Sequence, residues 1–410
     1  LPGANYDGGR FAAAALEAGA WGAIVTPPNA DAARAAGADG AGHVIVVADP
    51  LRALQTLATA WRRELGAQVI GVTGSTGKTT TKDLLLAVLS PHRRTTASRA
   101  NYNTEIGLPL EILAAPAGTE VLVLEMAMRG RGQIAELAAI AEPDVGVIVS
   151  IGPVHLELLG TIENVAAAKA ELIAGLAAGA TAIVPAGERL LDAHRREDVR
   201  TVTFGPGGDV DFVAQGEDTA TIVGTEGQYQ LEVPFQQAHV RLDLLAAVAA
   251  AEAIGVTPSG LVQPALSAGR GENLTLAGGI VVIDGCYNAN PMSMRAALAD
   301  LADTAQRDGA ARRVAVLGDM LELGPDALRY HEELGPLVER AGVDLLVTVG
   351  PLAAAIGERF DGETQAVADA GEAAAIVPEL LESGDVVLVK GSLGVGLKQV
   401  CDALAIGVQS

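Results

Sequence analysis

Apolar runs of strand length alternate with helix-like patterns along the whole chain, and this alternation limits the folds that the sequence can adopt. The runs carry branched residues and end in a polar residue or a glycine, which is typical of buried strands in parallel sheets. They include WGAIVT, HVIVVAD, QVIGVTG, EVLVLEM, VGVIVSIG, RVAVLGD, LLVTVG and DVVLVKG. The sequence therefore predicts an α/β protein whose parallel strands are covered by helices.

A glycine-rich loop joins the strand QVIGVT to a helical pattern that begins at Lys78. Backbone N–H groups of such a loop can converge on phosphate oxygens, and the following helix adds the positive end of its dipole. Lys78 supplies a charge and Thr79 a hydroxyl for Mg²⁺. The spacing is a variant, because Val72 stands where the common phosphate loop has its first glycine. The alternative is an ordinary glycine-rich helix cap. The predicted phosphate-binding residues are Gly74, Ser75, Thr76, Gly77, Lys78, Thr79 and Thr80.

The length of 410 residues favours two or three domains over a single core. Residues 205–233 change to glycine turns and short alternating strands, which predicts a small antiparallel insertion. A helix is predicted to end near residues 266–271 and to form a hinge. We expect a short N-terminal α/β part (1–66), a central domain with a P-loop-type parallel sheet (67–267) and a C-terminal Rossmann-like α/β domain (268–410).

The net charge of −22, from 50 acidic and 28 basic residues, opposes non-specific binding to nucleic acid or anionic lipid. No run approaches the roughly 20 apolar residues of a membrane span, and no signal peptide is visible. Cys286 and Cys401 are far apart in the sequence and predict neither a pair nor a metal site, which suits a reducing compartment. We therefore expect no nucleic-acid partner, no membrane span and a cytoplasmic location.

Two candidate metal ligands follow predicted strands. Glu125 ends VLVLE, and His155 comes after VGVIVSIG. In an open α/β sheet, ligands bind outside the carboxyl ends of the strands, where the phosphate loop also lies. A solvated strand end for Glu125 and a helix cap or core histidine for His155 are the alternatives. The shared edge favours a divalent metal held together with nucleotide phosphates.

The loop TGSTGKTT resembles the ATP loop of the Mur ligases and of the related folylpolyglutamate synthetases. Further motifs follow in the order and approximate spacing of the Mur branch that joins D-alanyl-D-alanine to UDP-N-acetylmuramoyl-tripeptide. They are NYNTEIGLPLEIL, EMAMRGRGQI, HLELLGTIENVAAAKAEL, DGCYNANPMSM, GDMLELG and VKGS. The resemblance covers nearly the whole chain. It implies an ADP-forming ligase in peptidoglycan precursor synthesis that uses ATP and Mg²⁺, acts on these two substrates and is a monomer.

The resemblance also implies roles for individual residues. Lys169 matches a lysine that CO₂ carbamylates, which creates an anion for a second Mg²⁺ and requires a neutral amine. A solvated helix lysine is the alternative. The implied metal ligands are Thr79, Glu125, His155 and Lys169, and the implied catalytic residues are Lys78, Lys169, His155 and Asn288.

Further matched positions are implied to contact the nucleotide or the incoming dipeptide. Asp243 and Arg270 are implied to bind ATP. Asn288 and Asn290 are implied to face nucleotide and dipeptide, although both could be turn residues before Pro291. The remaining motif positions are Asp319, Glu322 and His331.

The chain departs from the family pattern at several positions. Gly285 stands where an aspartate is expected at the ribose, and Asp243 replaces an asparagine at the adenine, which would leave acceptors only. Leu393 replaces an arginine, and Ala127 and Gln133 replace a glycine and a glutamate.

The function implied by the resemblance has competitors. The opening stretch matches only the later half of the family's N-terminal domain, so we expect a partial domain. The departures and this partial domain leave open an impaired ATP-binding homologue that acts as a regulatory or binding module. A sister Mur or folylpolyglutamate-type ligase and a simple P-loop kinase are also compatible with the phosphate loop.

Overall fold

Parallel β-sheets flanked by helices form the protein, as the alternating sequence pattern predicts. The computed structural model describes residues 1, 3, 6–36, 42–99, 101–265, 267, 269 and 272–406. The strands are β1 (Gly22–Val25), β2 (His43–Val46), β3 (Gln68–Thr73), β4 (Thr95–Ala97), β5 (Val121–Glu125), β6 (Val145–Ile148), β7 (Thr181–Pro185), β8 (Arg200–Phe204), β9 (Asp211–Gln215), β10 (Thr219–Val223), β11 (Gln228–Glu232), β12 (Gly260–Leu261), β13 (Glu272–Thr275), β14 (Val281–Gly285), β15 (Arg312–Gly318), β16 (Leu345–Val349), β17 (Glu363–Val367) and β18 (Asp385–Lys390).

The helices connect these strands and cover the sheets. They are α1 (Ala12–Glu17), α2 (Pro27–Ala36), α3 (Pro50–Leu65), α4 (Lys78–Leu89), α5 (Gly107–Ala114), α6 (Gln133–Ala141), α7 (Leu156–Leu159), α8 (Ile162–Ala174), α9 (Ala238–Ala253), α10 (Pro291–Asp308), α11 (Ala327–Glu332), α12 (Gly335–Arg340), α13 (Ala354–Gly357), α14 (Ala370–Leu380) and α15 (Lys398–Ile406). None of the helices in the described part of the chain is long and apolar enough to cross a membrane.

The central sheet has six parallel strands in the order β4-β5-β3-β6-β7-β8. Helices α4 and α9 pack on one face, and α3, α5, α6 and α8 pack on the other. Strands β3, β5 and β6 are almost fully buried because both faces are covered. The carboxyl ends of β3, β5 and β6 therefore meet at one edge, where the loop before α4 also lies.

The C-terminal sheet has the order β13-β14-β18-β15-β16-β17, in which only β13 is antiparallel to its neighbour. Apolar cores fill both of its faces. Helix α10 starts at a reciprocal cap: Asn290 Oδ1 accepts from the Ser293 N–H at 3.0 Å, and Ser293 Oγ accepts from the Asn290 N–H at 3.1 Å. Pro291 occupies the first helical position, where its missing N–H costs nothing.

Two smaller sheets complete the fold. Strands β9, β10 and β11 are antiparallel and bury Tyr229 and Leu231, so the predicted antiparallel insertion is confirmed. Strands β1 and β2 form a two-stranded parallel sheet in the N-terminal part. Most of β2 is exposed, so the expectation that HVIVVAD is a buried strand is wrong.

The helix predicted to reach residues 266–271 is also wrong. Helix α9 ends at Ala253, and residues 262–265 are not helical. A different contact holds the following connection: Asp83 Oδ2 on α4 accepts from the Ser267 N–H at 3.0 Å and from its hydroxyl at 3.1 Å. The connection to the C-terminal sheet is therefore attached to the helix that follows the phosphate loop.

The two cysteines contact each other, although the sequence predicts no pair. Cys286 Sγ lies 3.3 Å from Cys401 Sγ, and both residues are buried as free thiols. Their separation of more than a hundred positions hid a contact that the fold creates, because α15 packs beside the end of β14.

Candidate active site

A cavity of about 1120 Å³ separates the carboxyl edges of the central and C-terminal sheets. One wall consists of the phosphate loop, the end of β5, the loop after β6 and the start of α9. The opposite wall consists of the loop after β14, the first turns of α10 and the end of β18. The predicted site residues that line it are Ser75, Thr76, Gly77, Lys78, Thr80, Glu125, His155, Asp243, Asn288, Asn290 and Glu322. Motifs far apart in sequence therefore share one cavity.

The phosphate loop turns through Gly77, whose φ of 81° lies in the left-handed region. A Cβ at this position would lie 2.7 Å from Asp243 Oδ1 on α9. Lys78 Nζ donates to the carbonyl oxygen of Gly74 at 2.8 Å, which holds the ammonium group across the loop. Both the conformation and the close approach of α9 require glycine at position 77.

The loop is fastened to the segment that follows β6. Ser75 N–H donates to Ser150 O at 2.9 Å, and Thr76 N–H donates to Ser150 Oγ at 2.9 Å. Both N–H groups are therefore used within the protein in this conformation. The first turn of α4 leaves N–H groups without intrahelical acceptors, and these are the donors that the loop can offer to an anion.

Glu125 is buried at the end of β5, so the solvated alternative is wrong. Its Oε2 accepts from the Thr79 hydroxyl at 2.6 Å, and its Oε1 accepts from Asn103 Nδ2 at 2.8 Å. Its own N–H donates to Ser98 Oγ at 3.0 Å. Sequence reasoning missed Asn103, although its motif NYNTEIG was recognised. The neutral donors orient this carboxylate beside the loop without neutralising it, which suits a cation ligand.

Lys169 is only 2 % exposed, so the solvated alternative is wrong here too. It lies on α8, and the side chain of the N-cap residue Thr161 accepts from the Asn164 N–H. Burial and, to a lesser extent, the nearby charge of Lys78 hold the pKa of the Lys169 amine well below its usual value. A neutral amine is the form that can react with CO₂.

His155 precedes α7 and has a φ of 53°, which is rare for a residue with a side chain. Its Nδ1 contacts the Glu322 carboxylate of the C-terminal part. Burial is the main cause that lowers the pKa of His155, and the Glu322 carboxylate opposes this shift. The ring is therefore neutral at pH 7 and can offer a nitrogen lone pair to a metal.

These residues fit Mg²⁺ as one part of its ligand set. Mg²⁺ in nucleotide sites takes one or two carboxylates and completes its shell with phosphate oxygens and water. Glu125, His155 and the Thr79 hydroxyl provide such a partial set. In the described ranges, the one group of three closely spaced His, Cys, Asp or Glu ligands is Asp284, Cys286 and Cys401, and none of these lines the cavity. A metal ion held by Glu125, His155 and Thr79 would therefore need further oxygen ligands, such as nucleotide phosphates and water.

The opposite wall contains a lysine that sequence reasoning missed. Lys390 ends β18, and its Nζ donates to Asn288 O at 2.8 Å and to Gly285 O at 3.4 Å. The rule that ligands gather at carboxyl strand ends would have found it. Asn290 is used as the cap of α10, as its turn alternative predicts. A Cβ at Gly285 would touch the Lys390 side chain at 3.3 Å, which gives a packing reason for glycine there.

Asp243 is buried against the phosphate loop, and this burial raises the pKa of its carboxyl group well above the usual value. Burial favours the protonated form of this group, which can donate one hydrogen bond as well as accept, as an amide does. The expectation that Asp243 offers only acceptors applies to its charged form, which burial disfavours. His239, one turn earlier on α9, was not predicted; burial and the charge of Lys390 lower its pKa to about 4.

Two further motif residues, Asp319 and His331, do not line the cavity. Asp319 Oδ1 accepts from the Leu352 and Ala353 N–H groups at 3.0 and 2.7 Å, which fixes a turn outside the cavity. His331 is buried, and its Nε2 accepts from the Met320 N–H at 2.8 Å. Arg270 lies outside the described residues. Leu393 lines the cavity with 67 % of its surface exposed.

Comparisons with known proteins match this architecture. Residues 72–251 match the model of the Mur ligase middle domain, and residues 269–393 match the Mur ligase, glutamate ligase domain. The UDP-N-acetylmuramoyl-tripeptide–D-alanyl-D-alanine ligase of Bacillus subtilis (strain 168) is 36 % identical over 98 % of this chain and 88 % of its own length.

Solved structures give the same result. MurF from Acinetobacter baumannii superposes with a TM-score of 0.84 at 29 % identity, covering 98 % of this chain and 89 % of the relative. MurF ligase from Thermotoga maritima in complex with ADP gives a TM-score of 0.83 at 28 % identity, covering 100 % and 94 %. With both family models and a full-length relative in agreement, this chain belongs to the Mur ligase family.

Proposed function

We propose that this protein is the ligase that joins D-alanyl-D-alanine to UDP-N-acetylmuramoyl-tripeptide in peptidoglycan precursor synthesis. ATP is the energy source, and ADP and phosphate are released. The observation that carries the proposal is the shared cavity, in which a phosphate loop with Lys78 faces the Asn288–Lys390 wall across the gap between two sheets. The Bacillus subtilis relative carries the name of this activity and matches 98 % of this chain.

The reaction needs two steps on one carboxyl group. The tripeptide carboxylate attacks the γ-phosphorus of ATP, which forms an acyl phosphate and breaks the bond to ADP. The neutral amine of the dipeptide then attacks the acyl carbon, loses a proton and expels phosphate. Each step brings negative charge together, so catalysis depends on positioned positive charge. We assign this role to Lys78 and to the N–H groups of the first turn of α4.

We assign Thr79, Glu125, His155 and carbamylated Lys169 as the protein ligands of Mg²⁺. Mg²⁺ held by these residues would supply positive charge against the charge that develops on the transferred phosphoryl group. The Thr79–Glu125 hydrogen bond at 2.6 Å orients two of these ligands before any metal arrives. Burial lowers the pKa of the Lys169 amine and so favours the neutral form that can add CO₂. The product is an anion, which turns a group that would repel a cation into one that binds it.

Asn288, His239 and Asp243 complete the proposed nucleotide and dipeptide surfaces. Lys390 fixes the backbone at Asn288 and brings a positive charge to the wall that faces the phosphate loop. Asp243, as a neutral acid beside Gly77, is assigned to the nucleotide base, and Arg270 to the phosphates. Closure of the two walls around bound substrates would exclude water and so protect the acyl phosphate from hydrolysis.

The organisation of the whole protein is part of the proposal. Residues 1–66 contribute to binding of the UDP end of the substrate, residues 67–267 bind ATP, and residues 268–410 bind the dipeptide. We further propose that the protein acts as a monomer in the cytoplasm.

The decisive experiment is phosphate release from MgATP with UDP-N-acetylmuramoyl-tripeptide, measured with and without D-alanyl-D-alanine. We expect release that requires both substrates and a product that contains the new amide bond. The Lys78→Ala variant should be inactive, whereas Lys398→Ala, at a largely exposed lysine, should match the wild type. Release without the dipeptide, together with a phosphorylated product, would show a kinase instead. ATP binding without release under any condition would show an impaired homologue.

A further inference from the structure

Glu322 belongs to the C-terminal part and contacts His155, a proposed metal ligand in the central part. It lies in the loop after β15, and one carboxylate oxygen contacts His155 Nδ1. Its second carboxylate oxygen lies 3.8 Å from Arg129 Nε. The backbone carbonyl of Glu322 accepts from the Glu157 N–H at 3.3 Å. Glu322 therefore contacts the central part through both its side chain and its backbone.

Both partners of this contact have an unusual backbone. His155 has a φ of 53° and Glu322 a φ of 62°, and these are two of the three described residues other than glycine with a positive φ. Such conformations are unfavourable for residues with a Cβ and persist only where the surroundings enforce them. Two strained residues that meet across the cavity suggest that this geometry has a function.

The chemistry of the imidazole ring supplies that function. A carboxylate at Nδ1 keeps the ring proton on that nitrogen, which leaves the Nε2 lone pair available to a metal. The ring lies at the cavity and close to Lys78 and Lys169. A histidine whose proton sits on Nε2 could not bind a metal through that atom.

We propose that Glu322 is a positioning residue that makes His155 a metal ligand only when the C-terminal part has closed on the central part. This inference rests on the proposed function, in which His155 binds Mg²⁺. Because the orienting carboxylate comes from the part that brings the dipeptide wall, the metal site is completed only in the closed protein. ATP is then protected from turnover in the open state, before the dipeptide site is in place.

Two substitutions separate this role from a simple ion pair. Glu322→Gln keeps the length and an acceptor oxygen, so it should still accept the Nδ1 proton. Glu322→Ala removes the acceptor. A positioning role therefore predicts that the Glu322→Gln variant resembles the wild type and that the Glu322→Ala variant does not. If Glu322 acted only through an ion pair with Arg129, both variants would lose function. Glu333→Gln is the matched control, because Glu333 pairs with Arg329 of its own helix region, at 2.7 Å.

The first measurement is the ¹⁵N spectrum of the histidine side chains in protein with MgADP and UDP-N-acetylmuramoyl-tripeptide. The chain has six histidines, and a His155→Gln sample identifies the signals of His155. We expect the Nδ1–H form in the wild type, in Glu322→Gln and in Glu333→Gln. We expect a mixture that contains the Nε2–H form in Glu322→Ala. An unchanged His155 signal in Glu322→Ala would overturn the proposal.

The second measurement is the Mg²⁺ dependence of phosphate release. Loss of a partner that orients a ligand typically weakens metal binding by about 10- to 100-fold, so the half-saturating Mg²⁺ concentration should rise by that factor in Glu322→Ala. X-ray scattering of the same samples should show equal closure of wild type and variant. If Glu322→Ala stays open, Glu322 is only a structural contact and the proposal fails. If the wild type shows no ligation, the proposed function fails, but the tautomer measurement still tests the role of Glu322.

Discussion

Lys169 is the residue whose proposed role depends most on its surroundings. Its amine is buried beside Lys78, and its pKa is lowered, so a charged lysine is disfavoured there. We expect Lys169→Ala to lose at least about 100-fold in turnover, as when one preorganised charged group is removed from a transition state. Acetate or propionate should restore part of the activity, because a small carboxylate can occupy the space of the carbamate.

The control for this rescue is Lys78→Ala, which should be equally inactive and should not respond to carboxylates, because an anion cannot replace a lost cation. The measurement is phosphate release at increasing carboxylate concentration. Full activity of Lys169→Ala in the absence of any added carboxylate would contradict the carbamate.

Asp243 predicts a specific dependence of stability on pH. Its carboxyl pKa is raised in the folded protein by burial, whereas an unfolded aspartate titrates near about 3.9. A raised acid pKa means that the folded state keeps a proton that the unfolded state has already lost. The free energy of unfolding therefore falls as pH rises from the unfolded toward the folded pKa. The slope is about 1.4 kcal/mol per pH unit. Asp243→Asn removes this loss.

We therefore expect Asp243→Asn to gain in unfolding free energy relative to the wild type as pH increases above about 4. Denaturant unfolding at several pH values measures the difference. Asp31→Asn, at a side chain with 99 % exposure, is the control and should show a constant difference. A constant difference for Asp243→Asn as well would mean that Asp243 is charged in the folded protein.

Position 77 of the phosphate loop requires glycine for two independent reasons. Its φ of 81° strains any other residue, and a Cβ would press on Asp243 at 2.7 Å and on Val149 at 2.8 Å. Backbone strain of this kind costs about 1–3 kcal/mol, which corresponds to roughly 5- to 150-fold in binding if the loop shifts to relieve it. We expect Gly77→Ala to weaken MgADP binding by that factor, as measured by calorimetry.

Gly227 in the β10–β11 turn is the control, since a Cβ there has no contact closer than 3.8 Å and its φ is not positive. Gly227→Ala should bind MgADP as the wild type does. Equal affinities of all three proteins would show that the loop conformation does not determine nucleotide binding.

Elements were predictable from the sequence to the extent that local pattern determines them. Buried parallel strands have two covered faces, so their apolar runs are continuous, and β3, β5, β6, β15, β16 and β18 were all predicted. Partners across the fold were not predictable. The Cys286–Cys401 contact, the Lys390–Asn288 hydrogen bond and the Glu322–His155 contact join residues more than 100 positions apart, and no local pattern specifies which strand ends will meet.

The sequence also could not predict which single polar residues are buried. Lys169 has the same helical neighbours that a solvated lysine would have, and only the packing of α8 on the central sheet places it inside. The alternatives for Glu125 were decided in the same way. The sequence could therefore indicate which residues can carry chemistry, whereas their burial depends on the fold.

Closure of the two large sheets around the cavity is the property of the whole molecule on which the mechanism depends. Gly324 has a φ of 66° and lies in the C-terminal part with its Cα against the backbone of α7. A Cβ there would lie 3.3 Å from the Glu157 nitrogen and 3.3 Å from the Leu156 carbonyl carbon. Because these are backbone atoms, an alanine must push the two parts slightly away from each other.

Gly309 provides a closely matched comparison. Its φ is 65°, but a Cβ there has no atom within 4 Å. Gly324→Ala and Gly309→Ala therefore carry the same backbone strain, of about 1–3 kcal/mol, and should lose similar thermal stability. Only Gly324→Ala should reduce kcat. With MgADP and UDP-N-acetylmuramoyl-tripeptide bound, X-ray scattering should also give this variant a larger radius of gyration than the wild type. If both variants lose kcat equally, the loss comes from strain and not from closure. A Gly324→Ala protein with lower kcat but the full closed dimensions would show that the α7 contact acts locally on His155 instead of holding the two parts together.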